Sequence, residues 1–181
     1  MQLKTEKRMP PARRAALGGV VTALTVASLY LAAILPAGRA AWYFVASLLV
    51  AALLCEGEPL LATLCFAAST LLGVLVLPNP FSVWPYAAVL GWYGIVKYGA
   101  EKLRKPLEWT VKLLCCNGGL IAAILILDFV FGIKVLAFSW PAWGYALAAV
   151  GMQAVFVAYD VLYSFCVSYY LQKLRPHLFR S

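Results

Sequence analysis

Charge is scarce in this sequence, and that scarcity decides which solvent surrounds the chain. Charged residues make up 12% of the 181 residues, whereas hydrophobic residues make up 64%. A soluble domain usually has about 25% charged and about 45 to 50% apolar residues. A chain of this length cannot hide so much apolar surface in one core, so lipid must solvate most of it. The composition predicts a membrane protein.

Catalytic and metal-binding motifs are also missing. The sequence has one histidine, His177, and its five cysteines show no CxxC spacing, which argues against a zinc site or a disulfide framework. It contains no HExxH, GxSxG or GxxxxGK[ST] motif. The net charge of +8 lies in short blocks between apolar runs, unlike the basic face of a nucleic-acid-binding protein. We therefore expect no enzyme activity, no catalytic residue, no metal, no cofactor and no nucleic-acid partner.

Long apolar runs dominate what is present. A spanning helix needs about 20 apolar residues, because the hydrocarbon core is about 30 Å thick and each residue rises about 1.5 Å. As one helix, residues 40–77 would be about 57 Å long, with Glu56, Gly57, Glu58 and Pro59 at the centre. Two carboxylates beside two helix breakers are costly inside lipid, so a surface turn is predicted there.

The sequence thus predicts an all-α, polytopic membrane protein, a bundle of six transmembrane helices. A basic cytoplasmic segment, residues 1–14, precedes a membrane domain at 15–172, and a basic cytoplasmic tail follows at 173–181. The predicted spans lie at about 15–36, 40–55, 59–77, 83–98, 110–131 and 143–171.

Basic residues predict the orientation of these spans. With both termini in the cytoplasm, thirteen of the fifteen Lys and Arg residues are cytoplasmic, and only Arg39 and Lys134 lie outside. A five-helix alternative divides the same residues nine to six, so the positive-inside rule favours six spans. The segment from Lys97 to Lys105 then becomes a solvated second cytoplasmic loop, with Lys97 and Lys112 close enough to the interface for their stems to snorkel. Glu101 is spaced to pair with both lysines on a short surface helix, and docking of this loop onto a partner is the alternative.

Small and polar residues inside the spans are candidates for function. Gly19, Ala23 and Ala27 recur in steps of four on the first helix, where they allow either a partner helix or an internal neighbour to approach closely. Asn117 and Asp160 are predicted intramembrane polar residues, with a structural contact and a functional role both open.

Aromatic residues gather at the predicted outer face. An interfacial aromatic belt explains them, and the mouth of a ligand site is the alternative. The residues concerned are Trp84, Tyr86, Trp140, Trp143 and Tyr145.

The six spans, the cytoplasmic basic ends, the small residues of the first helix and the chain length together resemble the substrate-binding S components of energy-coupling factor transporters. The segment WPYAAVLGWYGIVKYGAEKLRK, followed by LLCCNGG, resembles small integral membrane proteins of that general type. The resemblance covers residues 13–175 and rests on topology.

This resemblance implies a subunit of the bacterial cytoplasmic membrane that captures a vitamin-like or metal-related small molecule outside the cell. A membrane scaffold subunit and two ATPase subunits would then act on it. It assigns the contact with the scaffold to Gly19, Ala23 and Ala27. It places the ligand near Trp84, Asp128, Trp143 and Gln153.

Two other classes stay open. A structural or assembly protein of the cell envelope would use the same small residues and basic loop for docking, without cargo. A channel or proton-coupled carrier would require Asp160 to ionise within the membrane.

Overall fold

A computed structural model describes residues 10–35, 37–101, 103–132 and 142–174 of the chain. Within these ranges the protein consists of helices joined by turns, with no strand, so the predicted all-α class is confirmed. The six α-helices are α1 (Pro11–Ile34), α2 (Arg39–Cys55), α3 (Pro59–Val76), α4 (Gly91–Ala100), α5 (Lys105–Phe131) and α6 (Ala142–Tyr169). A 3₁₀ turn (Pro80–Val83) and a π turn (Tyr86–Leu90) precede α4, and a second π turn (Tyr170–Leu174) follows α6.

Four of these helices are long and apolar enough to cross a membrane. They contain the segments Pro11–Ile34, Pro59–Val76, Lys105–Phe129 and Leu147–Lys173. Helix α2 is apolar but shorter, at 17 residues. The length and composition of the four helices are compatible with a membrane location.

Proline and glycine fix where the first three helices begin and end. Proline occupies the first helical position of α1 and of α3, where its missing N–H leaves no hydrogen bond unmade. Gly57 has a φ of 77°, the left-handed conformation that glycine adopts without strain. Its N–H donates to Leu54 O (3.1 Å) and that of Glu58 donates to Leu53 O (3.2 Å), the pattern of a Schellman motif. The chain therefore turns where the sequence predicts.

The chain divides into two compact units, residues 1–123 and 124–181, so α5 contributes to both. In the first unit, α1 packs against α2 and α3, and α2 packs against α4. One core cluster joins the end of α1 to the start of α2 and the end of α3: Leu29, Ala32, Tyr43, Ala46, Leu77, Val83 and Tyr86. A second cluster joins the opposite ends of the same helices: Val21, Val50, Leu53, Leu54, Ala62 and Cys65.

The two clusters establish the direction of each helix in the first unit. Ile95 and Tyr98, late in α4, pack against the second cluster, whereas Tyr86, before α4, belongs to the first. The first four helices therefore alternate in direction, which is the up-and-down arrangement of an antiparallel bundle.

Glycine allows two close approaches in this unit. A Cβ on Gly91 would lie 2.5 Å from Phe66 Cε2, and one on Gly119 would lie 2.7 Å from Trp92 Cζ2 and 2.9 Å from Ala88 O. No side chain larger than hydrogen fits at either position without movement of its neighbours.

In the second unit, α6 is the main element. Phe156, Asp160 and Tyr163 are buried, with 6%, 4% and 2% exposure. The rings of Tyr159 and Tyr163 lie 5.9 Å apart on the same helix face. Most of the other large side chains of α6, including Val150, are exposed, as expected of a helix solvated by lipid.

Candidate functional site

The charged residues of the first unit gather at one end of its helices, which we call the basic end. It comprises the start of α1, the α2–α3 turn, the end of α4 and the start of α5. Its described basic residues are Arg13, Arg14, Lys97, Arg104, Lys105 and Lys112. At the opposite end, Arg39 is the one charged residue among the described residues of this unit.

An ion pair joins two helices at the basic end. Arg14 Nη2, in the first turns of α1, lies 2.6 Å from Glu58 Oε2, at the residue that precedes α3. The Glu58 side chain is 11% exposed and that of Arg14 is 34% exposed. Because the carboxylate is largely desolvated, the guanidinium is the group that offsets its burial. The pair fixes the starts of α1 and α3 at the same level.

Lys97 is predicted on the second cytoplasmic loop with its stem at the interface, and the structure places it within a helix instead. It lies in the last turn of α4 with 4% exposure, and its Nζ is 6.0 Å from the centre of the Tyr93 ring. Residues four apart share a helix face, which places the lysine ammonium group near the aromatic ring. The predicted span reaches residue 98, and α4 continues to Ala100, so the assignment of Lys97 to a loop is wrong and its side chain is buried within the helical unit.

The predicted short surface helix is also wrong. Helix α4 ends at Ala100 and α5 begins at Lys105, so Glu101 and Lys105 belong to no common helix. Lys112 is buried, at 2% exposure, and its Nζ lies 2.5 Å from Glu108 Oε1 and 5.6 Å from the centre of the Trp109 ring. The charged residues of this segment therefore lie at the boundary between α4 and α5, and the ion pair of Glu108 with Lys112 forms within α5.

At the opposite end, the loop before α4 is tied to α2. The Tyr43 hydroxyl donates to Ser82 O at 2.5 Å, and the Asn79 side chain accepts from the N–H of Phe81 at 3.0 Å. These bonds satisfy backbone groups of the 3₁₀ turn that no helix could satisfy. Trp140, another of the predicted interfacial aromatic residues, lies outside the described residues.

The three small residues of α1 lie together on its exposed face. Gly19, Ala23 and Ala27 are all exposed, and a Cβ on Gly19 would meet no atom within 4 Å. Gly18, one residue earlier, instead packs against α3, where a Cβ would lie 3.0 Å from Leu61 Cδ1. Internal packing in the first unit therefore uses Gly18 and leaves the predicted stripe uncovered.

The four predicted ligand residues fall in both units. Trp84 is partly buried in the first unit, between the 3₁₀ turn and the π turn. In the second unit, Asp128 is exposed, Trp143 is 69% exposed, and Gln153 is half-buried. Asp128 O accepts the N–H of Gly132 at 3.1 Å, at the end of α5.

The two predicted intramembrane polar residues differ in burial. Asn117 is half-buried and donates from Nδ2 to Leu113 O at 2.9 Å, so part of its hydrogen-bonding capacity is used within α5. Asp160 is buried on α6, and its backbone carbonyl accepts the Ser164 hydroxyl at 2.7 Å.

A polar contact in the core was not predicted from the sequence. Tyr86 and Ser69 are fully buried, and their hydroxyls lie 3.1 Å apart, while Ser69 also donates to Phe66 O at 3.0 Å. In an apolar helix, a serine hydroxyl normally donates a hydrogen bond to a backbone carbonyl of the preceding turn. The sequence therefore does not indicate that Ser69 also accepts a hydrogen bond from a tyrosine.

No cluster of metal ligands is present in the part of the chain that the structure describes. All five cysteines are free thiols. Cys65 is buried, with its Sγ 3.5 Å from Gly18 O, which is the packing role expected for a cysteine in an apolar helix.

Comparison with known proteins adds no assignment. No protein-family model matches the chain, and neither a curated protein nor a solved structure matches it. The site must therefore be interpreted from its own geometry.

Proposed function

We propose that the chain is the membrane-embedded, substrate-binding subunit of an energy-coupling factor type transporter in the bacterial cytoplasmic membrane. It would cross the membrane six times, with both termini in the cytoplasm, and take up a vitamin-like small molecule. A membrane scaffold subunit and ATPase subunits would supply the energy, since the sequence has no nucleotide-binding motif of its own.

The separation of charge in the first unit supports the orientation. Six described basic residues lie at the basic end and Arg39 alone at the other, which is the asymmetry that orients membrane helices. The alternating directions of the first four helices agree with an even number of crossings up to α4. The basic end is therefore proposed as the cytoplasmic end.

The observation that carries the proposed docking is the exposed face of α1. Gly19, Ala23 and Ala27 form a smooth surface on which another helix could approach to backbone contact. Lipid would solvate a face of large side chains equally well, whereas small residues in steps of four favour a helical neighbour.

A cysteine cross-linking experiment tests the docking. Ala23→Cys in the full chain is expected to form a cross-link to a co-purifying membrane subunit in native membranes. Leu75→Cys is the matched control, because Leu75 is 80% exposed on α3 and lies outside the stripe. Equal cross-linking from both positions would contradict a specific partner site on α1.

Mass spectrometry of the protein purified from its native membrane tests the cargo. A retained small molecule, displaced on addition of the same compound in excess, would support uptake. Fusion reporters at the two termini test the topology, and termini on opposite sides of the membrane would refute the six-span arrangement.

A structural or assembly protein of the cell envelope is the second candidate. This candidate is favoured by the exposure of Asp128 and Trp143. Within the second unit, neither side chain lies in an enclosed site that could bind a small molecule. Co-purification with envelope-synthesis proteins, together with no retained small molecule, would establish this alternative.

A further inference from the structure

A short segment between α4 and α5 presents apolar side chains to the surroundings. This junction segment, residues 103–109, contains Leu103, Leu107 and Trp109, with 43%, 51% and 42% exposure. These side chains lie among charged neighbours, at a chain boundary where water would normally be the solvent. An exposed tryptophan with leucines beside basic residues is typical of a segment at a membrane–water interface.

The same segment has a surplus of positive charge. Arg104 and Lys105 are exposed, and neither has an ion-pair partner among the described residues. Two acidic residues of the basic end are already paired, Glu58 with Arg14 and Glu108 with Lys112. Exposed Glu101 is a single carboxylate beside two free cationic groups.

The position of the junction segment relative to α5 determines whether water, headgroups or acyl chains surround it. Helix α5 contains an apolar window long enough to cross a membrane, and Lys105, Glu108 and Lys112 lie in its first turns, before most of that window. The junction segment therefore lies at the depth of the lipid headgroups when α5 crosses a bilayer. At that depth the phosphate of a phospholipid is the nearest anion, and leucine and tryptophan can enter the boundary of the acyl chains.

We propose that the junction segment binds the headgroup phosphates of acidic phospholipids, with Arg104 and Lys105 as the cationic contacts and Leu103, Leu107 and Trp109 inserted beside them. Acidic lipids carry net negative charge at the surface and are favoured over zwitterionic lipids by unpaired basic side chains. This inference does not depend on transport, because it concerns the boundary between α4 and α5 alone.

Native mass spectrometry of the full chain in detergent tests the proposal. Phosphatidylglycerol is expected to stay bound to the wild-type protein at collision energies that remove phosphatidylcholine. The double variant Arg104→Gln/Lys105→Gln should weaken phosphatidylglycerol binding about 25-fold, since each basic side chain near an anionic surface contributes roughly fivefold.

Matched variants separate this site from general charge effects. Arg39→Gln removes an exposed cation at the opposite end and should leave phosphatidylglycerol affinity unchanged. Arg104→Lys/Lys105→Arg keeps both charges and should retain binding within about twofold, which also controls for folding. Equal affinity for the two lipids, or an unaffected double glutamine variant, would overturn the proposal.

Two further results would assign the segment to another ligand. Competition by free glycerol phosphate at equal concentration would identify a site for a soluble phosphate and overturn the lipid assignment. Unchanged lipid binding by the double glutamine variant, with loss of a co-purifying protein, would identify a protein-docking surface instead.

Discussion

Replacing Gly119 by alanine places a methyl group where α5 approaches the π turn before α4 and the first turn of α4. The new Cβ would lie 2.7 Å from Trp92 Cζ2 and 2.9 Å from Ala88 O. Neither neighbour moves easily, because Ala88 O is a backbone atom and accepts the Trp92 indole N–H at 2.7 Å. Gly118, the preceding residue, is exposed, and a Cβ there would meet no atom within 4 Å.

The two substitutions share one chemical change and differ in packing. Alanine in a helix interior is favoured over glycine by about 0.5 to 1 kcal/mol, so Gly118→Ala should be neutral or stabilising. Gly119→Ala has the same gain but also the cost of overpacking, about 1 to 3 kcal/mol. The difference between the variants is therefore the overpacking cost alone.

Thermal unfolding of the purified full chain in detergent measures this difference. For a chain of this length 1 kcal/mol corresponds to about 2–4 °C, so Gly119→Ala should melt roughly 2–12 °C below Gly118→Ala. Equal melting temperatures for the two variants would refute the close approach of α5 to Trp92 and Ala88.

Three further predictions concern other contacts of the first unit. Arg14→Gln should lower the free energy of unfolding by about 1–3 kcal/mol, because it leaves the buried Glu58 carboxylate uncompensated. The double variant Arg14→Gln/Glu58→Gln should regain most of the lost stability. A double variant no more stable than Arg14→Gln would count against the ion pair. Ser69→Ala should lower the free energy of unfolding by about 1–3 kcal/mol, because it leaves the Tyr86 hydroxyl without its hydrogen-bond partner. Tyr86→Phe should lower it by about 0.5–1.5 kcal/mol, since the Ser69 hydroxyl still donates to Phe66 O. Thermal melts in which Tyr86→Phe is the less stable variant would contradict this assignment. Gly57→Ala should lower stability by about 1 kcal/mol because its φ of 77° is unfavourable for a residue with a Cβ, and an unchanged melting temperature would show that the turn tolerates another conformation.

The helix boundaries near proline and glycine could be predicted from the sequence because local chemistry determines them. At Gly57 and Pro59 a left-handed residue and a residue without an N–H end one helix and begin the next, whatever lies around them. The same argument holds for Pro80, where the 3₁₀ turn starts. These boundaries divide a long apolar stretch into two helices.

The burial of Lys97 could not be predicted in this way. Its charge alone favours a loop, and only its place one turn after Tyr93, on a helix that continues to Ala100, keeps it from water. The same limit applies to Gly119, which looks like an ordinary small residue until Trp92 is brought against it. The burial of Lys97 and the close packing of Gly119 both depend on which helices become neighbours. In a helix that lipid can solvate on every face, apolar periodicity gives little information about which face packs against another helix.

The candidate site was predicted only in part. The exposure of Gly19, Ala23 and Ala27 depends on which face of α1 the first unit covers, and both faces carry small residues. The proposed lipid contact at Arg104 and Lys105 required knowing that α4 stops at Ala100, so that these residues begin a new helix.

The contact between Arg14 and Glu58 also orders the events of biosynthesis. Arg14 is translated before α2, whereas its carboxylate partner follows only after all of α2 has been made. The first helix is therefore made before the carboxylate that compensates Arg14, and the contact between α1 and the start of α3 forms only after later residues have been translated.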